Sequence, residues 1–289
     1  MAVAAPVLAQ QQRRASLPGV LVSWHLLSLD APTVAMLWAW AIARAAHVHA
    51  SASAIAVLGI GTWLIYVADR LLDSRAQAPR DALRERHRFH ARHRRGFLAA
   101  SGVAGGVILW LVATRLSAAA RRDDAAIFAV FLVYFVFVHL IGSRFPRSLA
   151  VGVIFAAASA VPAWSQAELF SAAWIAAAAL FAALCWLNCA AIHVWERQGL
   201  PARSSRIPAV ALSVAAAAGA VAAGSVALRD SGTLRLAVSI LASALLLFAL
   251  HLDQRRLAHR ADDRPALSLR VLADAALLTP VLFFFPWRP

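Results

Sequence analysis

The stretch ASAIAVLGIGTWLIYVADRLLD, residues 52–73, decides the fold. Residues 52–68 carry no charge, a run close to the roughly 20 apolar residues that cross a bilayer as a helix. The run then ends on Asp69-Arg70-Leu71-Leu72-Asp73. Asp69 and Asp73 are four apart, so on a helix they stack on one face. A charge at membrane depth is costly and has a partner or a task. Two stacked carboxylates repel one another and draw in a cation, and Mg²⁺ suits them because it takes oxygen ligands and carries phosphates. The expectation is that Asp69 and Asp73 hold Mg²⁺ and, through it, a diphosphate. The alternative is a solvated pair neutralised by Arg70 and Arg75.

Working outward, the composition agrees with a membrane chain. The 289 residues are 62% hydrophobic and 15% charged, against about 25% charged in a soluble domain. The net charge is +14, and every basic residue other than histidine is arginine. These arginines cluster between apolar runs, as expected where cytoplasmic loops meet anionic lipid rather than nucleic acid. Cys185 and Cys189 are four apart inside one apolar run, an unfavourable setting for a disulfide. Residues 1–24 read as a disordered leader and residues 25–289 as a single transmembrane domain.

About nine stretches are long and apolar enough to span. They are residues 26–48, 52–72, 97–116, 125–142, 148–164, 169–195, 207–228, 234–252 and 267–287. The expected fold is therefore an all-α integral membrane bundle. The segment between the second and third stretches holds eight Arg and three His. Alternate connections on that side also receive Arg13, Arg14, Arg144, Arg147, Arg197, Arg203, Arg206 and four arginines between 255 and 264. The positive-inside rule puts that side, the N-terminus and the Asp69/Asp73 pair at the cytoplasmic face. The expected location is a bacterial inner membrane. Residues 81–95 have the composition of a basic amphipathic helix lying over the cytoplasmic mouth, or of a solvated lipid-binding charge run.

Three pieces, in chain order, resemble the UbiA-type intramembrane prenyltransferase superfamily. Leu27-Ser28-Leu29-Asp30-Ala31-Pro32-Thr33 is similar to the segment opening that family's first span. Ala68-Asp69-Arg70-Leu71-Leu72-Asp73 resembles the second half of its N-D-x-x-D-x-x-x-D motif. Gly142 to Gly152, with Val161-Pro162 beyond, resembles its basic loop after span four. The resemblance implies a bundle around a central cavity in which two acidic motifs bind Mg²⁺ and an isoprenyl diphosphate. It implies transfer of the isoprenyl group to a lipophilic acceptor, often aromatic. Ile65 and Tyr66 stand where the family's motif begins with Asn and Asp. Its second motif, at the end of span six, is reduced to Asn188, His193 and Glu196.

The implied site has Asp69, Asp73 and Glu196 as metal-binding and catalytic carboxylates. Arg70, Arg75, Arg144, Asn188, His193 and Tyr66 contact substrate. The cofactor is Mg²⁺, and the partners are the diphosphate, the acceptor and membrane lipid. The alternative is a non-catalytic protein of the same fold that binds a lipid or a partner. Cys185, Cys189 and His193 form a stripe of spacing four, open to a soft-metal reading or to plain burial. Asp274 lies inside the last stretch, read first as an ion pair with Arg270 and second as a cavity group. Phosphate-cradling G-x-x-x-x-G-K-[ST], H-E-x-x-H and G-x-S-x-G patterns are absent.

Overall fold

A computed structural model of the chain describes residues 19–76, 85–137, 147–166, 171–196, 206–259 and 266–285. Among them the regular structure is helical throughout: α1 (Gly19–Leu26), α2 (Asp30–Ala45), α3 (Ala52–Ala76), α4 (Glu85–Arg92), α5 (Arg94–Arg115), α6 (Ala118–Val136), α7 (Arg147–Trp164), α8 (Ala172–Glu196), α9 (Ile207–Ala227), α10 (Ser231–His259), α11 (Ala266–Ala275) and α12 (Pro280–Phe284). Among the described residues, seven segments are long and apolar enough to cross a membrane: α3, α5, α7, α8, α9, α10 and the run Leu267–Phe284. The bent pair α1–α2 makes an eighth if it counts as one span. The molecule is an all-α membrane bundle. The expected span at 125–142 falls on α6, which opens with Arg121, Arg122, Asp123 and Asp124. Residues 138–142 of that expected span lie outside the described residues.

Two expectations shift at the N-terminus. Residues 19–24 are helical rather than part of a leader, because Gly19-Val-Leu-Val-Ser-Trp supplies an apolar run. The expected first span then breaks by 89° between α1 and α2. The break is a helix C-terminus closed without glycine. Ser28 takes φ 61°, and Leu29 N–H returns to Trp24 O at 3.0 Å, the left-handed closure that usually falls to glycine. Trp24 Nε1–H then donates to Thr33 Oγ1 across the corner at 3.0 Å.

The core gathers around α8. Trp38 of α2 is fully buried, stacks on Phe181 of α8 at 4.2 Å, and donates its indole N–H to Leu277 O at 2.8 Å. That carbonyl is available because the last span is interrupted between α11 and α12. Thr279, in the same break, donates to Ser239 O at 2.8 Å. Trp195 of α8 donates to His251 Nδ1 of α10 at 3.1 Å. By contrast α5 and α6 bury almost nothing beyond Phe97 and Ala120. Their outward Leu109, Trp110, Phe128 and Val133 are exposed, as expected for lipid-facing surface.

Two helix contacts need glycine. A Cβ on Gly152 of α7 would stand 2.7 Å from Trp186 N of α8, and one on Gly232 of α10 would stand 2.1 Å from Ala45 O. These neighbours are backbone, so the helices themselves must part. Gly152→Ala is expected to lower stability by about 1–3 kcal/mol, read as the thermal midpoint in detergent.

Asp230 caps α10. Its Oδ1 accepts from Thr233 N–H at 2.9 Å and its Oδ2 from the Thr233 hydroxyl at 2.6 Å. Burial pushes this carboxyl up, but the bonds from Thr233 and Gly232 outweigh it and hold it below its ordinary value. The cap's contribution is therefore complete above the unfolded carboxyl's pKa of about 3.9 and lost as pH falls through the lowered folded value. Asp230→Ala is expected to cost about 1 kcal/mol at neutral pH. The difference from the parent protein should shrink in melts below about pH 4.

Candidate functional site

Along the second half of α3, Thr62, Ile65, Tyr66, Asp69 and Asp73 share one face and wall a cavity of about 280 Å³. Their spacing of three and four residues is the helical repeat that makes a single face. The opposite wall is Phe131, Tyr134 and Phe135 of α6, with Arg147, Val151, Ile154 and Phe155 of α7. The lining thus has a charged part, Asp69, Asp73 and Arg147, and an aromatic and aliphatic remainder. Asp69 is exposed and Asp73 half-buried, so both can reach a ligand entering the cavity. Two carboxylates one helical turn apart form an all-oxygen donor set, the kind that Mg²⁺ takes.

Arg70 has a different place from the one expected. It lies on the neighbouring face of α3, only 4% exposed. Its Nη1 donates to His25 O at 3.0 Å and to the Ser28 hydroxyl. Its Nη2 stands 3.5 Å from Asp30 Oδ2. The guanidinium also lies over the Tyr66 ring, 5.9 Å from its centroid. Arg70 is therefore committed to the α1–α2 corner and is not one of the residues lining the Asp69/Asp73 cavity. The reason is stereochemical: one residue along a helix is a rotation of about 100°, enough to move a neighbour of Asp69 off the cavity face.

The corner carries more than Arg70. His25 Nδ1 stands 2.6 Å from Asp30 Oδ2 and 3.9 Å from Asp274 Oδ2. Asn188 Nδ2 donates to Asp274 Oδ1 at 3.1 Å. Ser28 Oγ and His90 Nε2 of α4 are hydrogen-bonded at 3.0 Å. His90 stacks on Phe97 at 4.1 Å, and His87 and His90 are both buried. The basic segment thus forms a helix over 85–92 that is anchored by two histidines rather than wholly solvated.

Asp274 and Asn188 also line a second, smaller cavity of about 40 Å³ with Cys185 and Cys189. Tyr66, Val151 and Phe155 line both cavities, so the Asp69/Asp73 pair and the Asn188/Asp274 pair lie on either side of one shared wall. Asp274 lines this cavity and contacts Asn188 and His25. His193 is exposed and is not among the residues lining either cavity, so the cysteine–histidine stripe does not make one site. Rotation along α8 explains this, since Cys185 and Asn188 face inward near its middle while His193 lies beyond the wall. The side chains of Arg75 and Glu196, and the whole of Arg144, lie outside the described residues.

His25 and Arg147 were missed by sequence reasoning. His25 stands between the expected leader, which ends at residue 24, and the expected first span, which begins at residue 26. Arg147 sat in the basic loop from which Arg144 was chosen, and only the helix start at 147 distinguishes the two. Neither family models, nor curated proteins, nor solved structures match the chain.

The two faces of α3 should respond differently to substitution. Arg70→Met removes the guanidinium from buried Asp30, the His25 carbonyl and the Ser28 hydroxyl and is expected to cost about 3–5 kcal/mol. Asp69→Asn, on an exposed position, should stay within about 0.5 kcal/mol of the parent. Thermal melts and monodisperse yield in detergent check both.

Proposed function

We propose that the chain transfers an isoprenyl group from a polyprenyl diphosphate to a lipophilic acceptor within the membrane, at the Asp69/Asp73 cavity. One observation carries this reading: two stacked carboxylates and Arg147 open on the same cavity as Phe131, Phe135 and Phe155. Such a lining suits an amphiphile with a strongly anionic head and an apolar tail. Asp69 and Asp73 would hold Mg²⁺, which when bound supplies charge neutralisation for the diphosphate. Arg147 adds a charge-assisted donor to the phosphate oxygens. The Phe side chains and Ile154 take the tail and keep water from the reacting carbon. Tyr66 lies between this cavity and the Asn188/Asp274 side.

A second reading is a non-catalytic membrane protein of the same architecture that binds a lipid diphosphate. It is favoured by Ile65 and Tyr66, which wall the cavity at positions where the resembled family's motif carries Asn and Asp. The two readings part in one assay. Membranes containing the protein are given radiolabelled isoprenyl diphosphate and a lipid extract, with and without Mg²⁺. Transfer is expected to require Mg²⁺ and to fall by about 10²-fold or more in Asp69→Asn and Asp73→Asn. Mg²⁺-dependent retention of the label without transfer supports the binding reading. Transfer that survives both substitutions contradicts the proposed site.

A further inference from the structure

The α1–α2 corner holds a grouping that the Asp69/Asp73 cavity does not use. His25 of α1, Asp30 of α2 and Asp274 of α11 each offer one ligand atom, and the three atoms lie within 4.8 Å of one another. His25 and Asp30 are 1% and 2% exposed. Ligand atoms bound at about 2.0–2.2 Å in a tetrahedron stand about 3.4 Å apart. The separations of 2.6 Å and 3.9 Å from His25 Nδ1 fall on either side of that spacing.

Two observations beside the cluster point to a ligand here. His25 is buried and pairs through Nδ1 with Asp30 Oδ2 at 2.6 Å, yet its Nε2 has no hydrogen-bond partner among the described residues. Asn188 is also buried, and with its Nδ2 spent on Asp274 its Oδ1 has no hydrogen-bond partner among the described residues. A buried polar atom left in that state costs free energy, and Asn188 lines the small cavity that Asp274 also lines. Two carboxylates also meet at this corner, Asp30 beside Arg70 and His25, and Asp274 beside His25. Added positive charge stabilises buried carboxylates brought this close.

We propose that His25, Asp30 and Asp274 bind one divalent transition-metal ion, with the small cavity as its entry and Asn188 Oδ1 as acceptor for a water in its shell. The imidazole makes the donor set borderline rather than hard, which selects Mn²⁺, Fe²⁺, Co²⁺ or Zn²⁺ over Mg²⁺. The site is distinct from the Asp69/Asp73 pair, because none of its three residues lines the larger cavity. It stands or falls apart from prenyl transfer.

The test uses the full chain in detergent, stripped with a chelator and titrated with Co²⁺ in the presence of excess Mg²⁺. The expected result is about one Co²⁺ per chain with visible d–d bands. The wild-type complex should also show a paramagnetically shifted, exchangeable imidazole proton by NMR. His25→Gln and Asp274→Asn are each expected to weaken Co²⁺ by at least about tenfold, while the Asp69→Asn, Asp73→Asn double variant binds as the parent does. The proposal is overturned if wild-type protein retains no Co²⁺ against Mg²⁺. It is equally overturned if the bound ion has no imidazole ligand, or if binding is lost with Asp69 and Asp73 rather than with His25 and Asp274. The NMR arm needs no variant, so a poorly folding substitution leaves the question decidable.

Discussion

A guanidinium does not give up its charge inside a protein, and Arg70 is buried. That single constraint organises one side of the molecule. Its donors must be met where they lie, and the α1–α2 corner meets them with the His25 carbonyl, the Ser28 hydroxyl and the Asp30 carboxylate. The chain turns by 89° to present all three, and Ser28 accepts a left-handed backbone to do so. Strain of this kind persists only where the surroundings over-determine it. Here the surroundings are Arg70 from below and His90 from α4 above.

With Arg70 fixed, α3 is fixed in rotation, and its adjacent face must carry Asp69 and Asp73 into the larger cavity. One helix therefore separates two kinds of charge. The guanidinium faces the corner, and the carboxylates line the larger cavity. Tyr66 joins the two sides. Its ring lies under the guanidinium and lines both cavities.

The helical bundle was legible because apolar run length speaks directly to the bilayer. The boundaries of α3, α5, α7, α8 and α9 fall within a few residues of the expected stretches. The bend at 27–29 was not legible, because it closes on serine where glycine or proline would have marked it. The Asp69/Asp73 face could be read from i, i+4 spacing alone. The corner could not, since His25, Asp30, Arg70, Asn188 and Asp274 come from five helices and meet only through packing. Asp274 stands out in the sequence as a charge in an apolar run, but its contacts to Asn188 and His25 depend on packing between helices. Asn188 was named, and what it bonds depends on where α11 lies beside α8.

The central claim is that a cation held by Asp69 and Asp73 anchors an isoprenyl diphosphate in the larger cavity. The most direct measurement is an experimental structure with Mn²⁺ and a non-hydrolysable isoprenyl thiodiphosphate, using anomalous scattering to place the metal. The account predicts a Mn²⁺ peak between the Asp69 and Asp73 carboxylates, with the diphosphate toward Arg147 and the tail along Phe131, Phe135 and Phe155. Carboxylates turned to lipid, or the thiodiphosphate seated elsewhere with no metal between them, would contradict it.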